Sequence, residues 1–198
     1  MKRSFVLILL ILITAVPALA WEETLIGGDI ESGGYGAVVV KYGTIDERDA
    51  VFVGGQGGWI VNHSLVIGGA GYGLANSLRA EGTDCLYLGF GYGGLMLEYI
   101  VSPQKLYHLS LLCVVGGGGI TYYDKKDCWG WDDCGCQYDT DAFFVAEPAV
   151  NLMLNLHRYV RVGVGASYRY VDGANYRGLE SSDLSGPTAQ VMVKFGVF

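Results

Sequence analysis

From residue 34 to the last residue the chain divides into eight apolar segments in which large side chains recur at every second position. They cover approximately residues 34–42, 50–61, 65–75, 85–100, 106–122, 142–156, 159–171 and 187–198. A period of two is the mark of a strand whose faces differ, because successive side chains point to opposite sides of the pleat. No segment sustains a helical period, and 31 glycines would penalise helices heavily. The seventh segment is the clearest. Val160, Val162, Val164, Ala166, Tyr168 and Tyr170 share one face, and Arg161, Gly163, Gly165, Ser167 and Arg169 the other. In the sixth, Phe144, Ala146, Val150, Leu152, Leu154 and Leu156 oppose Glu147, Asn151 and Asn155.

Both faces need an environment. A water-soluble sandwich also alternates, but its polar face is charge-rich. Here the second face is small and sparsely polar, which suits the inside of a narrow closed barrel. In "VFVGGQGGWIV" (51–61), Val51, Val53, Trp59 and Val61 are expected to face outward, with Phe52, Gly54, Gln56, Gly58 and Ile60 inward. Glycine weakens a strand, yet it allows the bending and close approach that eight strands in a ring require. The fourth segment changes phase: Leu86, Leu88, Phe90 and Tyr92 have one parity, Leu95, Leu97 and Tyr99 the other. A β-bulge at Gly93 and Gly94 is expected to restore a single outward face.

The chain opens "MKRSFVLILLILITAVPALA", a positive start, an apolar run and a small-residue cleavage site. Residues 1–20 are therefore expected to be a secretory signal peptide cleaved after Ala20, and residues 21–33 a periplasmic segment before a barrel over 34–198. No later stretch is long and apolar enough for a membrane helix. Without Lys2 and Arg3, 11 basic residues remain against 20 acidic ones, a net charge of −9. That argues against nucleic acid as a partner. An exported chain that is 51% hydrophobic without a later spanning helix fits a membrane β-barrel, whose apolar face is spread over alternate residues. Connections two, four and six are short ("NHS", "VSPQK", "HR"), and connections one, three, five and seven longer and polar. Outer-membrane barrels alternate short periplasmic turns with longer external loops in this way.

On the signal peptide, the eight segments, the loop alternation and the terminal "VKFGVF", the chain resembles the small eight-stranded outer-membrane barrels of Gram-negative bacteria, of the OmpA-transmembrane-domain, OmpX and OmpW kind. The resemblance implies an all-β, eight-stranded, antiparallel up-and-down transmembrane barrel in the bacterial outer membrane. It implies contact with membrane lipid and lipopolysaccharide, and a monomer. It also implies that Phe195 and Phe198 belong to the C-terminal signal read by the barrel-assembly machinery. One departure stands out: Val191, Val193, Phe195 and Val197 take the parity opposite to Phe198. Either Phe198 lies past the last regular pair, or the signal is a variant.

Some barrels of this size modify lipid A with a histidine-activated serine or water at the external leaflet. His63 and His157 fall in short turns and His108 near the periplasmic start of the fifth strand, so an enzyme is not expected. The loop "YYDKKDCWGWDDCGCQYDTDA" carries Cys128, Cys134 and Cys136, candidates for a disulfide in an exported protein, with Cys85 a further partner. Its aspartates allow a divalent cation and its cysteines zinc, but neither has a ligand pattern, so no cofactor is expected. Residues 124–141 are a candidate surface for an extracellular partner. Cys113 is expected to face lipid. Inside, Gln56, Glu98, Glu147, Arg161 and Arg169 are candidates for a buried polar network, because charge in a narrow lumen must be paired. The function expected is structural or surface-interacting. A narrow channel, a lipid A-modifying enzyme and a secreted lipocalin-like binder are the alternatives.

Overall fold

A computed structural model describes residues 32–79, 86–124, 140–176 and 179–198. Eight strands form the wall: β1 (Ser32–Ile45), β2 (Arg48–Val61), β3 (Leu65–Leu74), β4 (Leu86–Val101), β5 (Tyr107–Asp124), β6 (Thr140–His157), β7 (Val160–Asp172) and β8 (Gly186–Val197). Each pairs antiparallel with its neighbour in sequence, and β8 returns to β1 from Gly34 opposite Val197 to Gly43 opposite Thr188. The sheet therefore closes on itself, and the fold is an eight-stranded, antiparallel, up-and-down β-barrel. Closure leaves no edge strand, so the wall's backbone groups find partners within it.

Every expected segment is a strand, with ends displaced by a few residues. β1 begins at Ser32, inside the stretch expected to precede the barrel; the expected signal peptide and cleavage site lie outside the described residues. The first connection differs from expectation. β1 and β2 stay paired to Ile45 opposite Arg48, leaving only Asp46 and Glu47 as the turn. Both have positive φ (51° and 59°), the geometry that matches a two-residue hairpin turn to the twist of its strands. Polar composition read as a loop is here a tall hairpin. Asn62 and His63 repeat that geometry at the opposite end.

The inside of the barrel holds more bulk than a small, sparsely polar face. Phe52, Tyr72, Phe90, Tyr92, Met96, Ile120 and Phe143 are buried in it, and Val38, Val53, Trp59, Leu95, Val150 and Val191 are exposed on the outer wall. In β2 the expected faces hold except at Val61, which is buried at the strand's end. The bulge expected at Gly93 and Gly94 is absent. β4 runs in unbroken register with β5, Gly93 opposite Gly117 and Gly94 opposite Gly116, and likewise with β3. The phase change is one of content: Leu88, Phe90 and Tyr92 fill the lumen, while Leu95, Leu97 and Tyr99 cover the outside of the same regular strand. The register shift the ladders do contain lies between β6 and β7, at Asn155 and His157.

After β7 the chain folds over the long-loop end. The pair Asn175–Tyr176 with Leu179–Glu180 leads into a one-turn helix, α1 (Ser181–Leu184). Leu184 is fully buried and belongs to the same core cluster as Ile45, Ala50 and Val171. The backbone N–H of Asp46 donates to the Asp183 carbonyl at 2.9 Å, tying this segment to the first hairpin.

Candidate functional site: the barrel lumen

All five residues expected to form an interior network point into the lumen and are buried. The structure divides them among several clusters along the barrel. Near the long-loop end Glu147 accepts from Lys41 Nζ at 2.8 Å, Tyr92 OH at 2.8 Å and Ser167 Oγ at 2.6 Å. Thr188 adds a longer contact at 3.4 Å. Nearer the short-turn end Glu98 accepts from Lys194 Nζ at 2.5 Å and from Tyr35 OH. Between these two ion pairs lie Gln56, accepting from Tyr72 OH at 2.9 Å, and the chain Gln190 to Asn151 (2.5 Å) to Ser110 (3.3 Å).

The arginines are held differently. Arg169 Nε donates to the Leu184 carbonyl at 2.7 Å and its Nη2 to the Thr44 carbonyl at 2.8 Å. Its guanidinium carbon sits 4.5 Å from the Phe52 ring centre and 5.3 Å from that of Phe90. It thus ties α1 and β1 across the mouth, and only its Nη1 is left buried without a partner. Arg161 lies 3.9 Å from the Phe198 ring centre at the other end.

Glu98 and Glu147 take lysines as counter-ions, not the two arginines. Lys41 and Lys194, both almost fully buried, are the partners that sequence reasoning missed. Parity was the signal that could have found them. Lys41 shares the inward face of β1 with Tyr35, Ala37 and Val39, and Lys194 that of β8 with Gln190 and Met192. An isolated lysine at an inward position of an apolar strand needs a carboxylate across the lumen.

Phe198 lies past the last regular pair, stacked on Tyr35 with ring centres 6.0 Å apart, whereas Phe195 faces outward. Cys113 is a free thiol at an outward, half-buried position of β5. Cys85, Cys128, Cys134, Cys136 and the acidic loop around them lie outside the described residues. Among the described residues no cluster of His, Cys, Asp and Glu could hold a metal ion. His157 is exposed at the last position of β6, and His108 is buried at the same end with its Nδ1 unpartnered.

No family model and no curated protein matches the chain. Solved structures do. Neisserial surface protein A aligns over 84% of this chain and 96% of its own, with a TM-score of 0.58 and 9% identity. The N-terminal β-barrel domain of Pseudomonas aeruginosa OprF aligns over 84% and 98%, at 0.55 and 8% identity. Ail of Yersinia pestis, solved in complex with the heparin analogue sucrose octasulfate, aligns over 85% and 99%, at 0.53 and 10% identity. At such identities the likeness is one of fold, and the chain has the fold of the small eight-stranded outer-membrane β-barrels.

Proposed function

We propose that the protein is an integral outer-membrane barrel whose lumen is a sealed structural core and whose activity lies in its external loops. One observation carries this reading. The lumen is filled along its length by two buried ion pairs, a cluster of aromatic rings and, at the mouth, Leu184 of α1 held by Arg169. Eight strands leave an interior just wide enough for side chains, and these positions use it. The exposed Val, Leu and Phe of the outer wall support a lipid environment over a soluble lipocalin-like barrel, which would carry charge there. All three histidines sit at the short-turn end, the periplasmic end in this reading, which supports a non-enzymatic role.

Ail was solved with a polyanion. In this chain residues 124–141 carry six aspartates against Lys125 and Lys126, so their charge favours a cationic partner. Contact with lipopolysaccharide, recognition by the barrel-assembly machinery and a monomeric state complete the reading. Two experiments test it together. In planar bilayers the refolded protein is expected to show no single-channel steps; stable steps would favour the narrow channel. Replacing residues 125–139 by a short Gly-Ser turn is expected to leave the barrel folded while abolishing surface attachment of cells that display it. Unchanged attachment would remove the surface role of this loop.

A further inference from the structure

The β6–β7 turn and the end of β8 bound an open cleft of about 350 Å³, lined by Asn155, Leu156, His157, Arg158, Arg161 and Phe198. That volume is within the range of small-ligand sites, ~300–1,000 Å³. Its charged side chains, Arg158 and Arg161, are both basic, and the α-carboxylate of Phe198, the acid among the lining residues, forms no ion pair with either arginine. Arg161 lies over the Phe198 ring and Arg158 over the Tyr159 ring at 4.5 Å, and neither makes an ion pair among the described residues. A ring contact of this kind satisfies none of a guanidinium's five N–H donors as hydrogen bonds. His157 Nδ1 accepts from the Tyr159 backbone N–H at 3.4 Å, so a neutral ring carries its proton on Nε2 as a further donor. Glu98, the carboxylate buried at this end of the lumen, is already taken by Lys194 and Tyr35. The three short turns contain no acidic residue.

Beside the cleft the wall is apolar. Leu156, Tyr159, Phe195 and Val197 are all exposed. Phe195 lies opposite Val160 in the ladder, and Gly196 N–H donates to the Tyr159 carbonyl at 3.0 Å, which joins the turn to the last strand. Unpaired cations at the barrel's rim, above an apolar wall, complement an amphiphile with an anionic head.

We propose that this cleft binds a phosphodiester monoanion between Arg158 and Arg161, with His157 as a third donor. A guanidinium fork matches two phosphate oxygens, and charge-assisted bonds of this kind are about twice as strong as neutral ones. Two sources offer the group: a glycerophospholipid of the adjoining leaflet or a soluble phosphodiester. The apolar flank favours the lipid. The site is at the opposite end of the barrel from the loops, so it stands or falls independently of the loop-display reading.

The test uses the mature chain refolded in neutral detergent, with binding followed by native mass spectrometry. The probes are phosphatidylglycerol and glycerophosphoglycerol, the same diester without acyl chains. Saturable binding of phosphatidylglycerol is expected, weakened about tenfold by Arg158→Gln and abolished by the double variant with Arg161→Gln. Lys105→Gln, in a neighbouring turn outside the cleft, is expected to change it less than about twofold. Binding of both probes would admit the soluble source, and binding of the lipid alone would assign the acyl chains a part. No saturable binding of either probe, or an equal loss in Lys105→Gln and Arg158→Gln, would overturn the proposal. Arg158 is exposed, so its single variant gives a reading even if the double variant does not refold.

Discussion

Across β3, β4 and β5 the half of the wall nearest the long loops turns glycines outward: Gly69, Gly71 and Gly73, then Gly89, Gly91 and Gly93, then Gly117 and Gly119. Across β7 and β8 the outward positions include Val164, Tyr168, Val191, Phe195 and Val197, and the inward ones carry no ring: Gly163, Gly165, Ser167, Arg169, Val171, Thr188, Gln190, Met192 and Lys194. The two walls are inverted in volume. The first sends its rings inward, with Tyr72, Phe90 and Tyr92; the second keeps small residues inward, Gly163 against Met153 and Gly165 against Asn151 of β6, and Ser167 and Thr188 against Glu147, the carboxylate that Tyr92 bonds. Cations from β1 and β7 reach across to those rings, Lys41 at 3.5 Å from the Tyr72 ring centre and Arg169 at 5.3 Å from that of Phe90. The comparison teaches that a narrow lumen is filled jointly: one wall's bulk is admissible because the other wall gives up its own.

Glycines on the two faces of the first wall also differ in what holds them. An added Cβ at inward Gly68 would run into the Gly57 carbonyl and the Cα of Gly58, and one at inward Gly116 into the Gly93 carbonyl and the Cα of Gly94. Tight curvature brings neighbouring strands together at these two inward positions, where a side chain has no room. At outward Gly73 a Cβ would meet nothing within 4 Å and at Gly69, Gly71 and Gly91 nothing nearer than 3.5 Å, whereas outward Gly93 is an exception, its Cβ falling 2.6 Å from the Ala70 carbonyl.

The strongest way to break the comparison is therefore Gly68→Val, expected to cost about 3 kcal/mol or more and to prevent refolding into detergent, since backbone must move. Next comes Glu147→Gln, which leaves Lys41 without its counter-charge; about 3–5 kcal/mol is expected, read as a lower urea midpoint of unfolding. Pairing it with Lys41→Met is expected to recover most of that loss, because both charges are then gone. Tyr72→Phe removes the hydroxyl that bonds Gln56 but keeps the ring under Lys41, and about 1 kcal/mol is expected in the same titration. Gly73→Val is expected to shift the midpoint least, by about 0.5 kcal/mol or less. A large loss there would show that the outward glycines are as constrained as the inward ones.

Much of the barrel was legible because alternation reports a strand and its two faces without any knowledge of partners. Arg161, Arg169, Glu147 and Val164 fell on the correct sides from parity alone. Alternation does not say which face is inside, and β4 exposed that limit. Its aromatic half looks inward and its leucine half outward, so a regular strand read as one with a bulge at Gly93 and Gly94. The first connection misled for a related reason, since Asp46 and Glu47 look like loop residues whether the turn is long or tight. Lys41 and Lys194 were missed as counter-ions because pairing across a lumen depends on register around the whole ring, which no single segment contains. The cysteine-rich loop has no alternation to read and lies outside the described residues.

Heat-modifiability tests the closed membrane barrel most directly. The mature chain is refolded in detergent and compared by gel mobility before and after boiling, with circular dichroism alongside. A mobility shift that requires boiling, with a β-rich spectrum, is the expected result, because a closed ladder has no edge from which detergent can unzip it. A protein that is folded and soluble without detergent, with identical mobility in both lanes, would contradict the membrane assignment.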